Sequence, residues 1–286
     1  MKALAFIKME GSGNDFIVID NRQPSDVRLG ADGLALPKVA SKLCDRKYGI
    51  GADGLLVLEK SKKADSRMRV FNADGSEAEM CGNGARCCAL YLSQKDKKKK
   101  IILETKAGIL EAEIKGKNIK LKITDPSDLK LGMRLNVAGK EYEVSYLNTG
   151  VPHAVVEVDD IKRVPVGELG PKIRHHEAFH PAGSNVDFVK YADKDRVFIR
   201  TYERGVEDET LACGTGSVAG AIIATLNHSP HALGKRAGGA PSDHKVFVRT
   251  KGGERLGVYF KISKYKITDV WLEGDAKIVY RGEYYV

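Results

Sequence analysis

The stretch EAEMCGNGARCC, Glu77 to Cys88, sets a cysteine directly ahead of Gly-Asn-Gly at a point where a helix is about to begin. ETLACGTGSVAGA, Glu209 to Ala221, repeats the arrangement, with Cys213 ahead of Gly214, Thr215 and Gly216. The two cysteines lie 132 residues apart (213 − 81), and the same spacing relates Gly51 of GADGLLVL to Gly183 of GSNVDFVK (183 − 51). TKAG from Thr105 pairs with TKGG from Thr250 at the larger spacing of 145 (250 − 105), and the excess is assigned to a longer loop, HSPHALGKRAGGAPSDH, after the second helix. Two copies at so long a period exclude a solenoid and point to a duplicated domain.

The segments around these motifs read mostly as strands. ALAFIKM, DFIVID, LLVLE, MRVF, IILET, ILEAEI and IKLKIT in the first half, and HAVVEV, VDFVKY, RVFIRTY, KVFVRT and GVYFKI in the second, carry strand-like apolar patterning. Helical patterns are few: Leu36 to Arg46, the segment after Cys81, Val166 to His175, and the segment after Cys213. The expected fold is therefore α+β. Two pseudo-symmetric domains each wrap a many-stranded, mostly antiparallel sheet or barrel on one central helix, with an active-site cleft between them. The expected boundary falls at ITDPSD, giving domains 1–124 and 125–274, with residues 275–286 returning to the first.

Totals narrow the function classes. A chain of 286 residues buries a large core. No apolar run approaches the roughly 20 residues of a membrane span. The opening MKALAFIKMEGSGNDF turns charged and Gly-rich where a secretory signal would continue apolar, so a cytoplasmic protein without membrane partners is expected. The formal charge of +9 raises nucleic-acid binding, but much of the excess lies in Lys95 to Lys100, read as a solvated turn, and no nucleic-acid motif accompanies it. Five cysteines, an odd number, argue for reduced thiols, and the absence of Cys-x-x-Cys and of His at ligand spacing argues against zinc.

A cysteine at a helix start could be a nucleophile, a redox thiol or a packed core residue; the core reading is kept for Cys44, Cys87 and Cys88. For Cys81 and Cys213 the matched contexts favour chemistry, because packing does not require the same Gly-x-Gly twice. Helix N-termini present unsatisfied N–H groups and a partial positive charge, which bind anions and favour a thiolate by about 0.3–2 kcal/mol. That is enough to bring a thiol from about 8.5 toward neutrality, where it can both take and return a proton. Two such thiols on opposite faces of one carbon suit removal of a proton from one face and its return to the other. With the carbon α to a carboxylate, the helix ends can stabilise the charge that develops, without pyridoxal or another cofactor. GIGADG, Gly49 to Gly54, matches the dinucleotide fingerprint but follows a helix and enters a strand, the reverse of the required order.

The motifs MEGSGNDFIVID, GIGADG, FNADGSEAEMCGNGARC, VPHAVV, YERGVEDETLACGTG and WLEGDA, spread over nearly the whole chain, resemble diaminopimelate epimerases, the pyridoxal-independent enzymes that interconvert LL- and meso-diaminopimelate. The resemblance implies Cys81 and Cys213 as acid and base. Gly82-Asn83 and Gly214-Thr215 would hold the reacting α-carboxylate, with Asn14 lining the site. Asn72, Asn185, Glu203 and Arg204 would hold the distal amino acid end. His153, and Glu203 in a second role, would tune the thiols. Those types fit: Arg204 can pair a carboxylate bidentately and Glu203 can take an ammonium. Two positions depart from many family members: Val151 stands where an asparagine is usual, and Gly54 where glutamine is.

The expected activity is thus a cofactor-independent, metal-independent epimerisation of a small amino acid in lysine biosynthesis, by a homodimer whose domains close around the substrate. The alternative is another amino acid racemase of the superfamily, acting on histidine or hydroxyproline. A basic polymer-binding module, and a dehydratase or double-bond isomerase on the same fold, are the rivals from other classes, and neither has use for both cysteines.

Overall fold

The computed structural model describes residues 3–22, 29, 35–193, 195–228, 241–263 and 266–285. In chain order the elements are β1 (Ala3–Gly11), β2 (Asn14–Asp20), α1 (Leu36–Cys44), β3 (Gly54–Glu59), β4 (Ser66–Asn72), β5 (Glu77–Ala78), α2 (Gly82–Asp96), β6 (Lys100–Thr105), β7 (Gly108–Lys115) and β8 (Asn118–Lys122). There follow β9 (Ser127–Val137), β10 (Lys140–Asn148), β11 (Pro152–Glu157), α3 (Val166–Arg174), β12 (Asn185–Asp193), β13 (Arg196–Glu203), β14 (Asp208–Thr210), α4 (Gly214–His228), β15 (Ser242–Arg249), β16 (Arg255–Ser263), β17 (Lys266–Asp275) and β18 (Lys277–Tyr285). The chain divides into two compact units, one of Met1–Leu121 with Gly274–Val286 and one of Lys122–Glu273.

The same strand plan is written in each unit. In the first, β18, β1 and β2 run antiparallel, β2 pairs parallel with β3, and β3 is antiparallel to β4. Strand β4 then holds the short β5 and a parallel β6, from which β7 and β8 continue antiparallel. In the second, β9, β10 and β11 run antiparallel, β11 pairs parallel with β12, and β12 is antiparallel to β13. Strand β13 holds the short β14 and a parallel β15, continued antiparallel by β16 and β17. Each parallel pair needs a crossover: α1 and α3 supply it for β2–β3 and β11–β12, and α2 and α4 lie in the connections of β4–β6 and β13–β15. The matched glycines share a backbone state as well: Gly51 and Gly183 have φ of 79° and 67°, the left-handed region that only glycine enters without strain.

Helices α2 and α4 are the central ones. Asn83 to Leu92 in α2 and Gly216 to Leu226 in α4 are continuously buried, the pattern of a helix enclosed on all sides. Each packs against strands of its own unit, α2 on β1, β2, β3, β4, β6, β7 and β18, and α4 on β10, β11, β12, β13, β15 and β16. The opposite sheet faces carry separate cores: Ile17, Leu55 and Phe71 pack with Val39 and Leu43 of α1, and Val186, Phe188 and Tyr202 pack with Val166 and Ile173 of α3.

The lysine run is more structured than a solvated turn. Helix α2 continues to Asp96 and closes on Lys97 in the left-handed conformation at φ 53°, while Lys95, Lys98 and Lys100 pair with Asp20, Asp65 and Glu113. Of the longer loop assigned after α4, residues 229–240 lie outside the described residues.

Candidate active site

Cys81 is the N-cap of α2. Its backbone is extended at φ −140° and ψ 116°, its Sγ accepts from the Gly84 N–H at 3.4 Å, and its carbonyl accepts from Ala85 at 2.8 Å. An N–H donated to sulfur at a helix start favours negative charge there. Gly82 is open: a Cβ built on it meets nothing within 4 Å, so its backbone can be approached by a ligand. The second glycine serves packing, since a Cβ on Gly84 would come 2.9 Å from Leu56 Cδ2 on β3.

Asn83, 8% exposed, is braced from several sides. Its Nδ2 donates to Asn14 Oδ1 at 2.8 Å, and its Oδ1 accepts from Arg86 Nη2 at 2.7 Å. The same nitrogen donates to Ser12 Oγ, and Asn14 Nδ2 donates to Asp53 Oδ2 at 3.0 Å. Arg86 is completely buried, so a guanidinium underlies this helix start. Asn72, by contrast, is exposed at the turn before β5, with its Nδ2 on Ser76 Oγ at 2.9 Å.

In the second unit Cys213 precedes α4, its Sγ 3.5 Å from Thr215 Oγ1 and its carbonyl accepting from the Ser217 N–H and hydroxyl. Thr149 donates to the Thr215 carbonyl at 3.1 Å. Beneath the turn the environment is acidic. A Cβ on Gly216 would strike Oδ1 of Asp187, and that carboxylate also accepts from Thr201 Oγ1 at 2.7 Å and lies 2.6 Å from His153 Nδ1. Burial pushes the Cys213 thiol up, and the Glu203 and Asp187 carboxylates push the same way; the Thr215 hydroxyl and Gly216 N–H act against them. The helix-end stabilisation of about 0.3–2 kcal/mol expected from sequence is outweighed, because a buried anion loses its hydration and here faces two carboxylates. Burial and the two carboxylates thus favour the thiol form of Cys213.

Glu203 is itself raised by burial, with Asp187 adding to the rise and the Thr210 hydroxyl and His153 opposing it. Its carboxylate lies within electrostatic reach of the Cys213 thiol and pushes that thiol up. Arg204 has no carboxylate in ion-pair range among the described residues; its Nη1 reaches only the Ala182 carbonyl at 3.3 Å, which leaves the guanidinium available to an anion. Asn185, 4% exposed, spends its amide on Pro152 O (3.2 Å) and the Arg204 N–H (2.8 Å), so it shapes the turn that carries Arg204.

The remaining cysteines are core residues. Burial pushes Cys44 up to about 11 and holds Cys87 and Cys88 far above the ordinary thiol range. GIGADG lies in the connection after α1 and leads into β3, so it has no helix N-terminus to offer a phosphate. A side chain at Gly54 would meet Phe71 O at 2.9 Å, so this sheet has no room for the glutamine usual there.

A sequence model of diaminopimelate epimerase matches residues 6–127 and 145–267. The chain belongs to the diaminopimelate epimerase family. Diaminopimelate epimerase of Aquifex aeolicus (strain VF5) is 39% identical over 285 residues, spanning 98% of this chain and 97% of its own. That of Methanocella arvoryzae (strain DSM 22066 / NBRC 105507 / MRE50) is 41% identical over 306 residues, spanning 99% and 97%. The solved hydroxyproline epimerase of Agrobacterium vitis, with bound trans-4-hydroxy-L-proline, superposes with a TM-score of 0.66 over 99% of this chain and 93% of its own; at 17% identity it shares the fold. Among the described residues no helix is long and apolar enough to cross a membrane. Around the α2 start, Ser12, Arg86 and Asp53, and around the α4 start, Asp187 and Thr201, are the supporting residues that sequence reasoning missed; the one local signal was Asp187 breaking the apolar run NVDFV.

Proposed function

We propose that the protein interconverts LL- and meso-diaminopimelate by two-base proton transfer without a cofactor, in lysine biosynthesis. The observation that carries the reading is that each unit starts its buried central helix with a cysteine and an open or half-buried Gly-x step, within a chain of this family. Cys81 and Cys213 act as base and acid and exchange roles with direction. Gly82-Asn83 and Gly214-Thr215 hold the reacting carboxylate through first-turn N–H groups, where the charge gained on proton loss is stabilised. Asn14 orients Asn83, and Asn72, Asn185, Glu203 and Arg204 serve the distal end. His153 and Glu203 set the protonation of Cys213. The two epimerase domains are residues 1–124 with 275–286, and 125–274.

Incubation of reduced protein with LL-diaminopimelate in D2O, followed by NMR and chiral chromatography, tests this. The expected result is deuterium at the α-carbon together with meso product. Neither exchange nor inversion would overturn the substrate assignment. The reading also carries a cytoplasmic homodimer; exposed Val279, Tyr280 and Tyr285 on β18 support a second copy covering that strand, which sedimentation equilibrium checks.

A further inference from the structure

The buried trio beneath the first turn of α4 has a geometry that packing does not require. Asp187 uses both oxygens, Oδ1 for the Thr201 hydroxyl at 2.7 Å and Oδ2 for His153 Nδ1 at 2.6 Å. The side chains of His153 and Asp187 are both 0% exposed, so no solvent competes for them. A ring nitrogen held this close to a carboxylate oxygen carries the hydrogen between them, which leaves Nε2 as the position where the ring can gain or lose a proton. Nε2 is buried and has no hydrogen-bond partner among the described residues. Leaving such a group unsatisfied is destabilising, and the corresponding place beneath Gly84 is filled by apolar Leu56 without that cost. The ring also lies at the reacting end of the helix: a Cβ on Gly216 would be 3.3 Å from His153 Cε1, and the Glu203 carboxyl senses its charge.

Resting on the epimerase reading, we propose that Asp187, anchored by Thr201, is a positioning residue that locks His153 in its Nδ1–H tautomer, and that this tautomer is required for proton transfer at the Cys213 half of the site. The carboxylate fixes the ring from behind and presents Nε2 as its proton-exchanging nitrogen. Asp187 touches no substrate; it acts through His153.

The test joins long-range 1H–15N NMR of the histidine rings in the unliganded protein with steady-state kinetics. His153 of the unsubstituted protein is expected to show a protonated Nδ1. In Asp187→Ala, with no acceptor behind Nδ1, the ring is expected to relax to the Nε2–H tautomer and kcat to fall roughly 10–100-fold with KM within about twofold. Asp187→Asn, whose amide oxygen can still accept, is expected to restore the Nδ1–H tautomer and part of kcat. A His153 already protonated on Nε2 overturns the proposal. So does a folded Asp187→Ala with kcat intact, or Ala and Asn variants equally impaired. Should Asp187→Ala not fold, the unsubstituted tautomer and the Asn variant decide. The two readings fail separately: an active protein with the Nε2–H tautomer sinks this proposal alone. An unsubstituted protein that inverts no diaminopimelate sinks the substrate assignment, and the requirement with it, whatever tautomer is seen.

Discussion

The α2 and α4 starts present one frame on two foundations. Both place a cysteine ahead of Gly-x-Gly and bury the helix behind it. Beneath α2 lie apolar Leu56 and the buried guanidinium of Arg86, which donates to Ser12 and Asn83. Beneath α4 lie Asp187 and His153, and the Glu203 carboxylate acts on the thiol electrostatically. Cys81 is half-buried and Cys213 buried. Duplication has kept the parts that the backbone must supply, the helix end and the glycines. The charge around each thiol has diverged, and two chemically identical side chains have become unequal.

The largest test of that comparison is removal of either thiol. Cys81→Ala and Cys213→Ala should each lose inversion by about 10²–10⁴-fold, the usual worth of a positioned acid or base, as measured by chiral chromatography. A variant keeping more than a tenth of wild-type rate would show that one half is dispensable.

Next come the second glycines, which separate the foundations by stability. Gly216→Ala forces a methyl onto a carboxylate fixed by two hydrogen bonds and should cost about 1–3 kcal/mol in denaturant unfolding. Gly84→Ala meets the flexible end of Leu56 and should cost less. Equal costs would mean that the polar foundation yields as easily as the apolar one. Gly82→Ala, facing open space, should leave stability unchanged while raising KM.

Alkylation reads the inequality of the thiols directly. With iodoacetamide near pH 7, peptide mapping should find Cys81 modified before Cys213. Because burial raises the Cys213 thiol, its thiolate is scarce at neutral pH, and its modification should quicken about tenfold per pH unit as pH rises. Reversed order would break the comparison.

The smallest expected effect concerns Glu203. Burial raises its folded pKa above the unfolded value, so its ionised form destabilises the fold above that pKa and the penalty disappears as pH falls through it. Glu203→Gln should therefore raise Tm by about 1–3 °C at pH 7–8 and by nothing near pH 4, while speeding Cys213 alkylation. A Tm gain that persisted at low pH would point to packing instead of charge.

Much of this was readable from neighbours along the chain. Helix starts at Gly82 and Gly214, the α1 and α3 crossovers, the alternating strands and the repeat itself follow from local periodicity, small residues and glycines that set backbone angles. The lysine run shows where local reading stops: Lys95 and Asp96 continue α2 because Lys95 finds Asp20, far back in the chain.

The sequence by itself determined the duplicated frame and which two cysteines begin its central helices, because helix ends and strand alternation are set within a few residues. Only the tertiary structure decided what surrounds each thiol. Asp187, His153 and Glu203 come from three strands, so their meeting depends on register across the sheet, and Ser12 and Arg86 come from the β1–β2 turn and a helix, which only the packing of α2 on β1 and β2 brings together. Burial and distance, which fix whether a sulfur keeps its proton, exist only once those strands are paired.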